Sequence, residues 1–340
     1  MRSQKQRAAA VLMLLMVMLC SACRKEEAAP PPEDTSVPAV EDIPLELPEP
    51  TPEPTPEPTP EATPEPTPEG IFGDQSLAAE ATHAGLYRAD DLTALFEKSS
   101  RERIAPASLT KVVTACTALN YVSPDEVFTV GTEQELVEEH SSLCLIRPGH
   151  QLTLYQLIMG MFLPSGNDAA YTVAANVGRC VAGDECMSDR EAVDYFCGLM
   201  NQFARDVGAA DSHFANPEGW DHEETYSTVH DLALFAAYAM EIEEIREIAA
   251  TCEKKVFFVS GENITWSNFN SLINPWSTWY CPQAVGLKTG STEKAGKCLL
   301  SAIEGTDGLY IAVVMGCQED GDRYRATWDL IDLLDGNSDT

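Results

Sequence analysis

Pro106-Ala107-Ser108-Leu109-Thr110-Lys111-Val112-Val113-Thr114-Ala115-Cys116-Thr117-Ala118-Leu119 is the stretch that decides how the rest of the chain is read. The fixed φ of Pro106 suits the approach to a helix. Leu109, Val112, Val113, Cys116 and Leu119 recur at helical spacing, which predicts a helix with one buried stripe. Ser108 and Lys111 are three residues apart and share a helix face, so the hydroxyl lies beside the amine. A serine hydroxyl is inert as a nucleophile until a nearby base takes its proton. Lysine serves as that base only when neutral, a state that burial or a second cation favours. On its own the spacing also describes an ordinary helix with an exposed lysine.

Two further motifs follow in order. Leu152, Leu154, Leu157, Ile158, Met161 and Phe162 predict an apolar helix that stops at Pro164, and Ala169, Ala170, Val173, Ala174 and Val177 predict another starting just after. Ser165-Gly166-Asn167 falls in the tight loop between them, able to present a hydroxyl and an amide; taken alone it is also a plain turn. Ala284 to Leu287 then leads into Lys288-Thr289-Gly290-Ser291 on a predicted strand, followed by strands at Lys297 to Ile303 and Leu309 to Met315. Lys288, Thr289 and Gly290 offer a cation, a hydroxyl and an unobstructed backbone, a dock for a peptide ending in a carboxylate. The alternative is an edge strand defended by a lysine. S-x-x-K, S-x-N and K-T-G in this order form the motif set of penicillin-binding proteins and class A β-lactamases.

The likeness extends beyond the tripeptides. Arg103 to Lys111, Leu163 to Ala170, Met200-Asn201, Phe214 to Gly219, Tyr226-Ser227-Thr228 and Val285 to Gly290 together resemble the low-molecular-weight penicillin-binding D-alanyl-D-alanine carboxypeptidases, over about Gly85 to Leu334. The resemblance implies an α/β (α+β) fold of the serine β-lactamase/DD-peptidase type, a five-stranded antiparallel sheet flanked by helices plus an all-helical subdomain. The active site of that family lies at their junction. From the residues themselves, Ala84 to Arg88 and Thr93 to Glu97 read as a hairpin around Ala89-Asp90-Asp91. One sheet built from both ends of the domain, with a helical lobe inserted, is the simplest assembly. Nothing substantial follows Leu334, so the extra C-terminal β-domain of some relatives is not expected.

The resemblance also implies a two-step serine acyl transfer without a cofactor. Ser108 attacks the penultimate D-alanine carbonyl with Lys111 as base, and Ser165 relays the proton to the leaving D-alanine. Asn167 holds the substrate amide and orders Lys111. Lys288 and Thr289 hold the terminal carboxylate beside Gly290, with Arg323 or Arg325 adding charge, and the N–H groups of Ser108 and Ser291 form the oxyanion hole. A β-lactam, imitating D-Ala-D-Ala, is expected to acylate Ser108. A class A β-lactamase needs a glutamate that activates water for deacylation, and no E-x-x-L-N segment follows Ser165 where it is expected. A DD-endopeptidase or transpeptidase would use the same residues, and a non-catalytic wall-peptide-binding protein is the reading from a different class.

The N-terminal part has another character. Arg2, Lys5 and Arg7 precede an apolar run from Ala8 to Leu19, which reads as a signal peptide over residues 1–22. Leu19-Cys20-Ser21-Ala22-Cys23 resembles a lipoprotein cleavage box with Cys23 as the lipid-attachment residue; ordinary cleavage and secretion is the alternative. Residues 23–70 read as a lipid-anchored linker, repeating Thr-Pro-Glu-Pro from Pro48 to Glu69 without an aromatic or cationic residue. At ~3.1 Å per residue, its last forty residues reach on the order of 100 Å when stretched. Residues 71–340 form the catalytic domain of this reading, placed outside the cytoplasm at the cell envelope, on the outer face of the cytoplasmic membrane.

Of the formal charge of −32, residues 1–25 carry +5 and residues 26–70 carry −13, which leaves −24 on the domain. Nucleic acid is thereby an unsuitable partner, because its binding rests on cationic contacts to phosphate, and so is direct docking on anionic lipid. Peptidoglycan stem peptides and β-lactams remain as the expected partners. Eleven cysteines are present. Cys180 and Cys186 are close enough to bridge given suitable geometry, whereas Cys116, Cys298 and Cys317 sit in apolar runs that suit buried thiols. With no C-x-x-C after the Cys20 to Cys23 cleavage box and no H-E-x-x-H, zinc has no claim. His213, His222 and His230 are expected at the surface.

Overall fold

The computed structural model describes residues 72–336. The expected signal peptide, Cys23 and the Pro/Glu/Thr-rich segment lie outside the described residues. In chain order the elements are β1 (His83–Arg88), β2 (Ala94–Lys98), α1 (Thr110–Tyr121), β3 (Val127–Thr129), β4 (Gln151–Thr153), α2 (Leu154–Phe162), α3 (Asn167–Ala182) and α4 (Asp189–Asp206). Then come α5 (Val229–Glu241), α6 (Glu243–Ala249), β5 (Glu253–Phe257), β6 (Asn263–Ser267), β7 (Ala284–Thr292), β8 (Gly296–Glu304), β9 (Leu309–Cys317) and α7 (Asp320–Gly336).

The sheet has five antiparallel strands in the order β2-β1-β9-β8-β7, so the N-terminal hairpin is joined to the last three strands through β1 and β9. Both faces are covered, which explains why β8 and β9 are apolar almost throughout. Along β9, Ile311, Val313 and Met315 pack toward the helices α1 to α6, while Ala312 and Val314 pack with Tyr324, Leu330 and Ile331 of α7. Each large apolar side chain fully buried in these layers contributes about 1.5–3 kcal/mol. The register sets Lys288 of β7 opposite Leu300, which is opposite Val313. Lys288 therefore belongs to the row that faces the helical side. β7 is an edge strand, and beyond it lies the turn carrying Ser108.

Several local expectations change. α1 is buried all round, from Thr110 to Ala118, rather than along one stripe, because the sheet and the surrounding helices enclose it. Leu152 lies on the short strand β4 rather than in α2, which starts at Leu154 behind a Thr153–Gln156 capping box. Two small ribbons, β3–β4 and β5–β6, accompany the helices. The β5 side chains are exposed except Val256, so no apolar alternation announces that strand. Cys180 and Cys186 are exposed and carry free thiols, whereas Cys116, Cys298 and Cys317 are buried. His222 is exposed, but His213 and His230 are half-buried, with Nδ1 of His213 2.6 Å from the Glu224 carbonyl.

Candidate active site

Ser108 is the middle residue of a single 3-10 turn, Ala107–Leu109, that runs directly into α1. Ala107 has φ +49° and Ser165 has φ +59°, both in the left-handed region that costs non-glycine residues of order 1–3 kcal/mol. The turn is gripped from both sides. Gly219, at φ +87°, passes so close that a Cβ there would stand 1.8 Å from the Ala107 carbonyl oxygen. On the opposite side a Cβ on Gly290 would come within 3.3 Å of the Ser108 nitrogen. Glycine at these two positions lets the loop and the edge strand close on the nucleophile.

Lys111 is fully buried and its three ammonium donors are matched one to one. Nζ donates to Oγ of Ser108 at 2.9 Å, to Oδ1 of Asn167 at 2.7 Å and to the backbone carbonyl of Glu218 at 3.0 Å. Burial pushes its pKa down to about 8, against the pull of the Glu218 and Asp168 carboxylates. The lysine is thus held between its charged and neutral forms near neutral pH. Burial likewise raises the Glu218 carboxyl, opposed by Lys111.

Lys288 is equally enclosed; its Nζ donates to Oγ of Ser165 at 2.9 Å and to the Thr289 carbonyl at 3.0 Å. Its pKa lies well below the ordinary lysine value, chiefly through burial and further through the positive charges of Lys111 and Arg323. Lys288 does not line the cleft. It stands behind Ser165, and its neighbours Thr289 and Gly290 are the motif residues that line the cleft.

Ser165 and Asn167 open α3, with Asn167 as its first residue, and both side chains turn inward onto the two lysines. Asp168 braces this corner: Oδ1 accepts from the backbone N–H of Cys144 at 2.8 Å and Oδ2 from that of Ile146 at 3.2 Å. The Asn167 N–H donates to the Ser142 carbonyl at 2.8 Å, which places Ser142 at the rim.

A cavity of about 330 Å³ opens here, lined by Ser108, Ser165, Thr289, Gly290, Ser291 and Arg323 together with Ser142, Phe269 and Asp320. Arg323 reaches in from α7, its Nη1 donating to the Gly290 carbonyl at 3.1 Å and the Cys298 carbonyl at 3.2 Å, its Nη2 to Asp320. Arg325 points elsewhere, to Glu80 and Asp322. Ser108, Lys111, Ser165, Asn167, Lys288, Thr289, Gly290, Ser291 and Arg323 are therefore brought together, with the two lysines forming the buried back wall. Sequence reasoning gave no role to Glu218, Ser142, Phe269 or Asp320. Glu218 stood inside the quoted Phe214 to Gly219 segment, but Ser142 and Phe269 lie in loops without periodicity, where no local signal marks them.

The five-stranded sheet with its helical insert, and the convergence of the three motifs across one cleft, define a protein of the S-x-x-K, S-x-N, K-T-G class. The chain belongs to the D-alanyl-D-alanine carboxypeptidase family of S11 peptidases, whose model matches residues 73–319. It is 28% identical over 260 residues to D-alanyl-D-alanine carboxypeptidase DacF of Bacillus subtilis, covering 76% of this chain and 62% of that protein. With DacA of Escherichia coli it shares 34% identity over 233 residues, 65% of this chain and 53% of the relative. The chain thus spans between half and two thirds of these curated relatives. Among solved structures, the Streptomyces K15 DD-transpeptidase superposes with a TM-score of 0.69 at 26% identity, covering 76% of this chain and 97% of that one.

Proposed function

We propose that this chain is a serine-type D-Ala-D-Ala carboxypeptidase that removes the terminal D-alanine from peptidoglycan stem peptides and binds penicillin covalently. The observation that carries this reading is Lys111 Nζ, set 2.9 Å from Ser108 Oγ and held there by Asn167 and the Glu218 carbonyl. Lys111 in its neutral form takes the Ser108 proton as Oγ attacks the penultimate carbonyl carbon. The backbone N–H groups of Ser108 and Ser291 receive the developing oxyanion. Collapse breaks the C–N bond, and the leaving amine takes its proton through Ser165, which Lys288 orients. Water then hydrolyses the ester and regenerates Ser108. Thr289 and Arg323 hold the terminal carboxylate, with the Lys288 amine one residue behind.

D-alanine release from a peptide ending in Lys-D-Ala-D-Ala tests this, with Ser108→Ala alongside. Release by the wild type alone is the expected result. Release by both proteins would refute Ser108 as nucleophile. Transfer to an amine acceptor is the second reading, favoured by the likeness to a protein described as a DD-transpeptidase, and a cross-linked dipeptide product would establish it.

Lipid attachment at Cys23 and residence on the outer face of the cytoplasmic membrane belong to the same proposal, supported by the Leu19 to Cys23 box and the Pro/Glu/Thr-rich composition of the segment after it. Intact mass of the membrane-extracted protein decides: a diacylglyceryl addition on Cys23 is expected, and its absence would leave secretion after signal cleavage.

A further inference from the structure

Arg323 enters the cleft with most of its donors already used. Its side chain is 8% exposed, Nη1 is spent on the Gly290 and Cys298 carbonyls, and Nη2 is paired with the carboxylate of Asp320. Nε is buried without a partner among the described residues. Asp320 itself lines the same cavity, and its side chain is 66% exposed. The first turn of α7 thus lays a carboxylate of this chain on the guanidinium that a substrate carboxylate would use. Two carboxylates sharing one guanidinium repel each other, so an incoming anion must displace Asp320. Displacement is open to it, because an exposed aspartate at a helix N-terminus swings into water and keeps the favourable helix dipole.

We propose that Asp320 is a built-in competitor for the carboxylate seat on Arg323, setting the affinity for the terminal D-alanine and promoting its release after cleavage. This rests on the reading of Arg323 as the carboxylate seat. Asp320 occupies the seat in the free protein, yields it to the peptide, and returns as the C–N bond is cut and free D-alanine, still a carboxylate, departs. The residue acts through Arg323 and touches no reacting atom. It is a positioning residue that tempers the hold of Arg323 on chains ending in a carboxylate.

Asp320→Asn tests the idea while keeping a side chain suited to a helix start. The expected result is a KM for the D-Ala-D-Ala carboxylate peptide lower by ~5-fold. Inhibition by free D-alanine should tighten by a similar factor, while kcat stays level or falls. The same peptide ending in a carboxamide is the control, and its KM should move less than about twofold. Asp320→Ser, also a good residue at a helix start, must behave alike if removal of the charge is the cause. A KM that rises equally for both peptides would overturn the proposal and make Asp320 a brace for Arg323, as would an unchanged KM. Arg323→Gln separates this failure from failure of the underlying reading. Loss of the preference for carboxylate over carboxamide keeps the seat at Arg323, whereas a retained preference moves the seat elsewhere and the proposal falls with it.

Discussion

Replacing Asn167 by aspartate changes one atom in the site and leaves its shape intact, yet it should disable the base. The Asn167 amide oxygen lies 2.7 Å from Lys111 Nζ, as one of the three acceptors that hold the lysine against Ser108. With the Lys111 pKa down at about 8, roughly a tenth of the lysines are neutral at pH 7. An ordinary lysine, at about 10.4, would leave only ~0.04% neutral, a difference on the order of 3 kcal/mol in the cost of supplying the base. A carboxylate at hydrogen-bonding distance favours the charged form and raises a pKa by about 1–3 units. Asn167→Asp should therefore cut acylation at pH 7 by ~10-fold to ~1000-fold and move the profile to higher pH. The sign follows from which form works: the neutral lysine is active, so the rate rises with pH through the Lys111 pKa and levels above it. The assay is the second-order rate of acylation by a fluorescent penicillin between pH 6 and 10. For the wild type the rate should climb about tenfold per unit below pH 8 and flatten near pH 9. A wild-type profile flat across this range, or an Asn167→Asp profile superimposable on it, would refute Lys111 as the base.

Other expectations are simpler to check. Gly219→Ala forces a left-handed φ on alanine and drives a Cβ into the Ala107 carbonyl; it should cost more than ~3 kcal/mol in thermal unfolding and abolish penicillin labelling. Lys288→Ala leaves Ser165 without its 2.9 Å donor, so D-alanine release should fall by ~100-fold. Iodoacetamide at pH 8.5, followed by peptide mapping, should modify the exposed Cys180 and Cys186 first. Burial pushes the thiols of Cys298 to about 11 and Cys197 to about 12, and these should react only on unfolding.

How much of this was legible in the sequence depends on the scale of the signal. The i, i+3 pairing of Ser108 with Lys111 is a property of helical geometry, and strands β8 and β9 announce themselves by nearly continuous apolar runs buried on both faces. The N-terminal hairpin was visible from its turn residues. Enclosure of α1 was not, because whether a helix is buried on one side or all round is decided by neighbours distant in sequence. The β5–β6 ribbon was hidden by its exposed lysines and glutamate. At the site, the motifs named the residues but not their depth: Lys288 was expected at the carboxylate and stands behind Ser165, a placement fixed by the register of β7 against β8. Asp320 and Phe269 reach the cleft through tertiary packing of α7 and the loop after β6, and no spacing rule relates them to Ser108.

The central claim is that Ser108 becomes the acyl-enzyme. Peptide mapping by mass spectrometry after brief exposure to benzylpenicillin tests it most directly. The account predicts one penicilloyl adduct on the peptide containing Ser108 and none in Ser108→Ala. A folded wild type that remains unmodified, or an adduct on another residue that persists in Ser108→Ala, would contradict it.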